Sequence, residues 1–461
     1  MAARAEGTSS RPNRTIAALC TGTAISGMNS GMIAVALSTM RGELKLNPAS
    51  IMWVITIYYL ASAILQPLMG RLADRYGPRK LFLFGMGVIV AVGIVGPFAS
   101  TLLTVCIARV FLAMGTATAF PSAAAMLRGI AASSGKSAPK MIGRIQMIDT
   151  GASAIGPVIG GLLVTHMGWQ SVFWVNIPFA ALALISSLFF APEDGVRAKV
   201  PLRSTIVESD VPGVAAFAVA VVALLTFLLE LPTAPIWWLL PLTLVAGAVF
   251  VWRESRCVKP FIDLQLLGAN TELLMVYLRF ALINIVFYGA LFGVPQFLDD
   301  HGGYRTDVVG ILVVPLAAFT LLLTPYTERL IERTGLRHAL VVGGVGLFAS
   351  TVLSMLLVVS TAPYVVLVVT AAMGIPYCIL TISLTQSLYV AANPDEVGEA
   401  AGLFQLSRCI AGICSTAVVG IAFASGSGAT AWLYVAGAIT ILAFGYLLLV
   451  LGRQPRQLRP A

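Results

Sequence analysis

The sequence predicts an all-α membrane protein, and three observations carry that prediction. Of its 461 residues, 58% are hydrophobic and 11% charged, whereas a soluble domain carries about a quarter charged residues. Apolar runs follow one another along nearly the whole chain, and about 20 such residues span a bilayer as a helix. A charged turn also occurs twice: GRLADRYGPRK at 70–80 returns in degraded form at 328–338 as ERLIERTGLRH. Inside hydrocarbon each backbone amide must find its partner within its own segment, so the apolar runs are helices.

Fourteen segments fit that description, at 15–40, 51–69, 81–100, 102–127, 141–165, 170–191, 212–231, 235–252, 272–297, 306–327, 338–360, 363–389, 398–424 and 429–451. The first follows a short polar tail. It is too long for a signal-peptide core and has no clear cleavage site, so it is expected to stay as a span. The second and third flank the first charged turn, and the tenth and eleventh flank its copy. The seventh and eighth are joined only by Leu231–Ala234, which leaves a twelve-span count open.

The net charge of +9 follows membrane topology and gives no ground for nucleic-acid binding. Loops and tails on the side of the N-terminus hold 22 of the 29 Lys and Arg residues, and the other side has only Arg41, Lys45 and Arg305. By the positive-inside rule both termini are cytoplasmic.

The two charged turns follow the second and tenth spans, eight apart. They therefore face the same side, and the two halves are parallel repeats of the kind that build transporters. The expected organisation is a cytoplasmic tail at 1–14, an N-terminal six-helix domain at 15–191, a linker with two extra spans at 192–271, a C-terminal six-helix domain at 272–452 and a second tail at 453–461.

Within the repeated turn Arg71, Asp74, Arg75, Gly77 and Arg79 meet Arg329, Glu332, Arg333, Gly335 and Arg337. Gly77 suits a tight turn, Asp74 can face a helix N-terminus, and the basic residues hold the loop at the membrane surface. The fifth segment contains GASAIGPVIGG, Gly151–Gly161. Ala152, Gly156 and Gly160 fall four apart and form a small-residue face for close helix packing, while Pro157 removes one helix hydrogen bond. In the fourth, Arg109 precedes Gly115 and Pro121. An arginine at mid-bilayer costs about 2.5–3.5 kcal/mol on insertion scales, so it needs a partner or a wet cavity.

These strings resemble the major facilitator superfamily. Gly70–Lys80 is similar to its signature loop between spans two and three, and Gly151–Gly161 to the antiporter motif of its exporters, here Gly151, Gly156, Pro157, Gly160 and Gly161. The Arg109 segment matches in part, with Leu112 and Ala113 where the pattern has Gln and Gly. Fourteen spans, together with Asp210–Gly213, Glu254–Leu267 and Gly402–Arg408, look like the fourteen-span drug:proton antiporter branch. The resemblance implies a major facilitator fold of two six-helix bundles plus two central helices. It also implies alternating access, with Gly70, Asp74, Arg75, Gly77 and Arg79 acting with Glu332, Arg333 and Gly335 as a cytoplasmic latch.

One departure matters for chemistry. That branch usually carries an Asp in span one ahead of the Val35-Ala36-Leu37 string, and this chain has Asn29, which cannot titrate. Among the acids within spans, Glu230 lies near an outer end and Glu399 in a first helical turn. Asp149 lies eight residues into its helix and two before the glycine motif, and a buried carboxyl there can exchange a proton with substrate binding. A neutral or hydrogen-bonded structural Asp, helped by Ser153, explains the position equally well. Arg279 and Arg408 also need partners that the sequence does not name, and the estimated depths of Asp149 and Arg109 argue against their direct pairing. Asp149, Arg109, Asn29 and Arg408 are thus the candidate transport residues.

The expected activity is export of amphipathic small molecules across the inner membrane, coupled to protons. The alternative is a dedicated carrier of one metabolite, not necessarily proton-coupled. The expected partners are substrate, protons and lipid, and a monomer is expected. An enzyme would need a His, Asp or Glu cluster at one interface, and the Asp299-Asp300-His301 turn reads as solvated. Six scattered cysteines and three histidines provide no metal spacing, so neither metal nor cofactor is expected.

Overall fold

The computed structural model describes residues 6–134, 138–194, 210–231, 235–257, 270–392 and 397–452. The described residues are helical throughout, with no strand. The long helices are α1 (Glu6–Glu43), α2 (Trp53–Tyr76), α3 (Pro78–Val95), α4 (Leu102–Ser134), α5 (Ala138–Met167), α6 (Asn176–Phe190), α7 (Val211–Glu230), α8 (Leu239–Glu254), α9 (Thr271–Asp300), α10 (Thr306–Leu322), α11 (Leu336–Leu353), α12 (Pro363–Ala391), α13 (Val397–Ser425) and α14 (Ala429–Gly452). Eleven apolar helical stretches among the described residues are long enough to cross a membrane. The remaining three are explained by composition and length. α1 carries Thr21, Thr23, Ser26, Asn29 and Ser30, α8 has 16 residues, and the apolar part of α5 runs only over Gly151–Met167.

Helices α1 to α6 pack on one another, as do α9 to α14, while α7 and α8 pack chiefly as a pair. The two groups meet through α5 against α10, α2 against α13 and α1 against α9. Glycine sets the closeness of these contacts. A Cβ on Gly31 would lie 2.6 Å from the Ser153 carbonyl oxygen, one on Gly156 2.6 Å from that of Met28, and one on Gly160 2.8 Å from Met32 Cα. Thus α1 and α5 touch backbone to backbone, and no side chain fits between them. On its other side α5 meets α10, where a Cβ on Gly161 would lie 2.7 Å from the Thr306 carbonyl oxygen. The small-residue string of α5 therefore packs on two helices, one from each group.

Burial is uneven along the bundle axis. Residues 286–298 of α9 are buried without exception, and Arg41 at the end of α1 forms an ion pair with Asp300 at the end of α9. In the first turn of α2 the hydroxyls of Thr56 and Thr416 join α2 to α13 at 2.7 Å. Toward the opposite end residues 64–68 of α2 are only half-buried. The two groups of helices are most tightly closed at the end that carries Arg41.

A side chain placed at the α1–α5 contact has nowhere to go. Gly156→Val is expected to lower stability by about 1–3 kcal/mol, the usual cost of overpacking. Gly437→Val, where a Cβ would meet nothing within 4 Å, is expected to be near neutral. Thermal unfolding of the two purified variants in the same detergent checks the contrast.

Candidate functional site

Asp149 on α5 and Arg408 on α13 meet across the two groups of helices. Arg408 donates from Nη1 to Asp149 Oδ2 at 3.2 Å. The other carboxylate oxygen, Oδ1, accepts the backbone N–H of Gly27 on α1 at 2.9 Å. That second bond depends on the close α1–α5 approach, because a Cβ on Gly27 would overlap the Asp149 carbonyl. The carboxylate is thus held by two donors on two helices, and only 8% of its side-chain surface is exposed. Charge-assisted hydrogen bonds are the stronger kind, and a buried charge requires them.

This pair lines a cavity of about 30 Å³, room for roughly one or two water molecules. Tyr58 and Tyr59 of α2 form one wall. Phe287 and Tyr288 of α9 with Tyr377 of α12 form the facing one. Small polar groups, Ser26, Ser30, Ser62 and Ser153, lie between them, with Gln66 toward the half-buried end. Tyr59 donates to Ser30 Oγ at 3.2 Å, and its ring faces that of Tyr288 at 5.3 Å. Tyr377 donates to Asn284 at 3.0 Å and stacks on Phe287 at 4.0 Å.

The other candidates are placed differently. Arg109 is 1% exposed. Its Nε donates to the Val54 carbonyl at 3.2 Å, and its guanidinium lies 4.5 Å from the Tyr58 ring centre. Its two terminal nitrogens have no hydrogen-bond acceptor. It therefore supports a cavity wall from behind and is not joined to Asp149. Asn29 is fully buried and lies outside the cavity lining. It donates to Asn176 Oδ1 of α6 at 2.6 Å and to the Ile25 carbonyl at 2.9 Å, a tie between α1 and α6. Arg279 donates to the Leu449 carbonyl at 2.6 Å.

At the charged turns the structure reveals an acid that the sequence reading missed. The backbone N–H groups of Arg79 and Lys80, at the start of α3, both donate at 3.0 Å to the carboxylate of Asp194, which follows α6. An anion at a helix N-terminus is stabilised by these free N–H groups and by the helix dipole. Gly77, at φ 109°, leaves room for that carboxylate. Arg79 also donates to the Leu188 carbonyl at 2.6 Å and lies 3.7 Å from Glu193. Gly70 sits 3.8 Å from Pro121 by its missing Cβ, and Arg75 is half-buried. The side chain of Asp74 lies outside the described residues. In the second copy Gly335 keeps a positive φ of 84° with open space around it, and Glu332 and Arg333 are exposed.

Two of the missed residues had a sequence signal. Gly27 and Gly31 stand four apart in the first segment, the same small-residue spacing that was read in the fifth. Asp194 and Asn176 had none, since their roles arise only from contacts distant in sequence.

A sequence profile of the Major Facilitator Superfamily matches residues 19–416. The chain belongs to that superfamily. It is similar to the Bacillus subtilis MFS-type transporter YwoD, with 31% identity over 437 residues, covering 94% of this chain and 95% of that one. It is also similar to the tetracenomycin C resistance and export protein of Streptomyces glaucescens, 29% identical over 92% of this chain and 78% of that one. With a methylenomycin A resistance protein of Streptomyces coelicolor it shares 27% identity, over 94% and 90%. In fold it matches the crystal structure of a mutant of the nucleoside transporter NupG, with a TM-score of 0.65 and 13% identity over 94% of this chain and 99% of that one. The chain is a transporter of that superfamily.

The asymmetry between the two turns is testable. Gly77→Ala adds a clash with Asp194 to its backbone strain, whereas Gly335→Ala has only the strain, about 1–3 kcal/mol for such φ values. Gly77→Ala is expected to lower the melting temperature more. In an Asp194→Ala background its extra cost is expected to disappear, as a double-mutant cycle would show.

Proposed function

We propose that this chain exports amphipathic small molecules across the inner membrane by alternating access, with protons moving inward through Asp149. The observation that carries the reading is the 3.2 Å pair between Asp149 and Arg408, because it ties the two groups of helices across the cavity. A proton on Asp149 cancels its charge and weakens that tie, so protonation and the separation of the bundles become one event. With two N–H donors on one largely buried carboxylate, the tie is sensitive to a single proton, since removing one partner of a buried pair typically costs about 3–5 kcal/mol. The resistance and export proteins among the relatives support the direction.

On this reading α1, α5 and α8 join the eleven apolar stretches to make fourteen spans, both termini are cytoplasmic, and the protein works as a monomer. The Arg41–Asp300 end is the outer gate, closed here together with the α5–α10 contact of the glycine string. The two charged turns form the cytoplasmic latch, with Asp194 holding the first. Arg109 keeps Tyr58 in place beside the cavity. Asn29 has no proton to exchange, and the coupling work of the usual span-one acid passes to Asp149.

Proteoliposomes with an imposed pH gradient and an interior pH dye test the proposal. Wild type is expected to move protons when an amphipathic substrate is added. Asp149→Asn is expected to lower gradient-driven transport on the order of tenfold to a hundredfold, the rate equivalent of one lost charge-assisted hydrogen bond. Arg408→Gln combined with Asp149→Asn shows whether a stability loss is responsible, because it removes both charges together. Undiminished proton movement in a well-folded Asp149→Asn protein would refute coupling through this residue.

A further inference from the structure

We infer that the substrate of this cavity is an uncharged, flat aromatic molecule with a carbonyl or hydroxyl oxygen at its edge. The inference rests on the export reading for the cavity's role, and it deepens that reading by naming the ligand class.

Three observations point to that class. First, the charges are already spent. Asp149 and Arg408 are the one acidic and one basic side chain among the lining residues, and they neutralise each other. A cationic ligand would have to take Asp149 from Arg408 and leave a buried guanidinium unpaired. An anionic ligand would have to share Arg408 with Asp149, putting two negative groups against one positive one. A neutral ligand competes with neither charge for its partner.

Second, the walls are aromatic and the cavity is narrow. Tyr58, Tyr59, Phe287, Tyr288 and Tyr377 line it, Tyr59 meeting Tyr288 at 5.3 Å, and the cavity volume is about 30 Å³. Any substrate must therefore wedge the walls apart. A planar ring requires the least separation, about 3.5–4.0 Å for carbon in contact with carbon, and it stacks on the faces it meets. Third, the remaining polar groups suit neutral oxygens. Serine hydroxyls line the cavity, Ser26 and Ser30 among them already paired with Tyr58 and Tyr59, and Arg408 Nε–H has no acceptor. A substrate carbonyl or phenol oxygen can accept that N–H without displacing Asp149 from Nη1.

The test uses three ring systems of one shape and different charge: naphthol, naphthoate and naphthylmethylammonium. Their binding to the full-length protein in lipid nanodiscs is measured by calorimetry at neutral pH. Naphthol is expected to bind on the order of tenfold tighter than either ion, the equivalent of one spared charge-assisted hydrogen bond. In the Asp149→Asn/Arg408→Gln double variant the preference for naphthol is expected to collapse. Tighter binding of either ion, failure of naphthol to bind, or an unchanged preference in the folded double variant would overturn the inference. Naphthol preference without any substrate-driven proton flux in proteoliposomes would uphold the ligand class and refute the antiport reading alone. Flux with naphthoate preferred would do the reverse.

Discussion

The backbone contact between α1 and α5 is the constraint on which the rest of the site depends. Gly27 and Gly31 on one helix and Gly156 and Gly160 on the other remove the side chains that would hold them apart. Only at that distance can the Gly27 N–H reach the carboxylate of Asp149. With one oxygen held from α1, the other is positioned for Arg408 on α13. A charge in a low-dielectric setting persists only with such partners, so the glycines are as much part of the ion pair as the charged groups. The motif that packs the helices also builds the place where charge is kept.

The same helix carries its small-residue string to a second use. Its C-terminal half meets α10 through Gly161 and Pro157 against Thr306–Gly310, across the boundary between the two groups of helices. α5 therefore takes part both in the closed end and in the charged pair at mid-depth. A change at either level has a direct mechanical route to the other through one continuous helix. Arg109 and Asn29, by contrast, spend their polarity within one group, on Val54 and Tyr58 and on Asn176.

The two charged turns show how a repeat can keep its shape and lose its contacts. Gly77 and Gly335 both hold positive φ and both join two helices. Yet the first turn is capped by Asp194 from beyond α6, while Glu332 and Arg333 of the second lie exposed. Backbone conformation follows the local glycine, and the partner follows from whatever segment arrives from far along the chain.

Much of the architecture was legible in the sequence because its causes are local. Apolar run length specifies helices in a bilayer, Gly77 and Gly335 specify turns, and the spacing of Gly156 and Gly160 specifies a close-packing face. Those residues determine membrane helices, the superfamily fold and the positions of the turns. The site itself was legible only as separate residues. That Asp149 takes Arg408 and not Arg109, that Asn29 turns to Asn176, and that Asp194 caps α3 are pairings across 259, 147 and about 115 positions. Only the tertiary structure decided them, since a charge selects whichever partner the packing brings within reach, and packing is a property of the whole bundle.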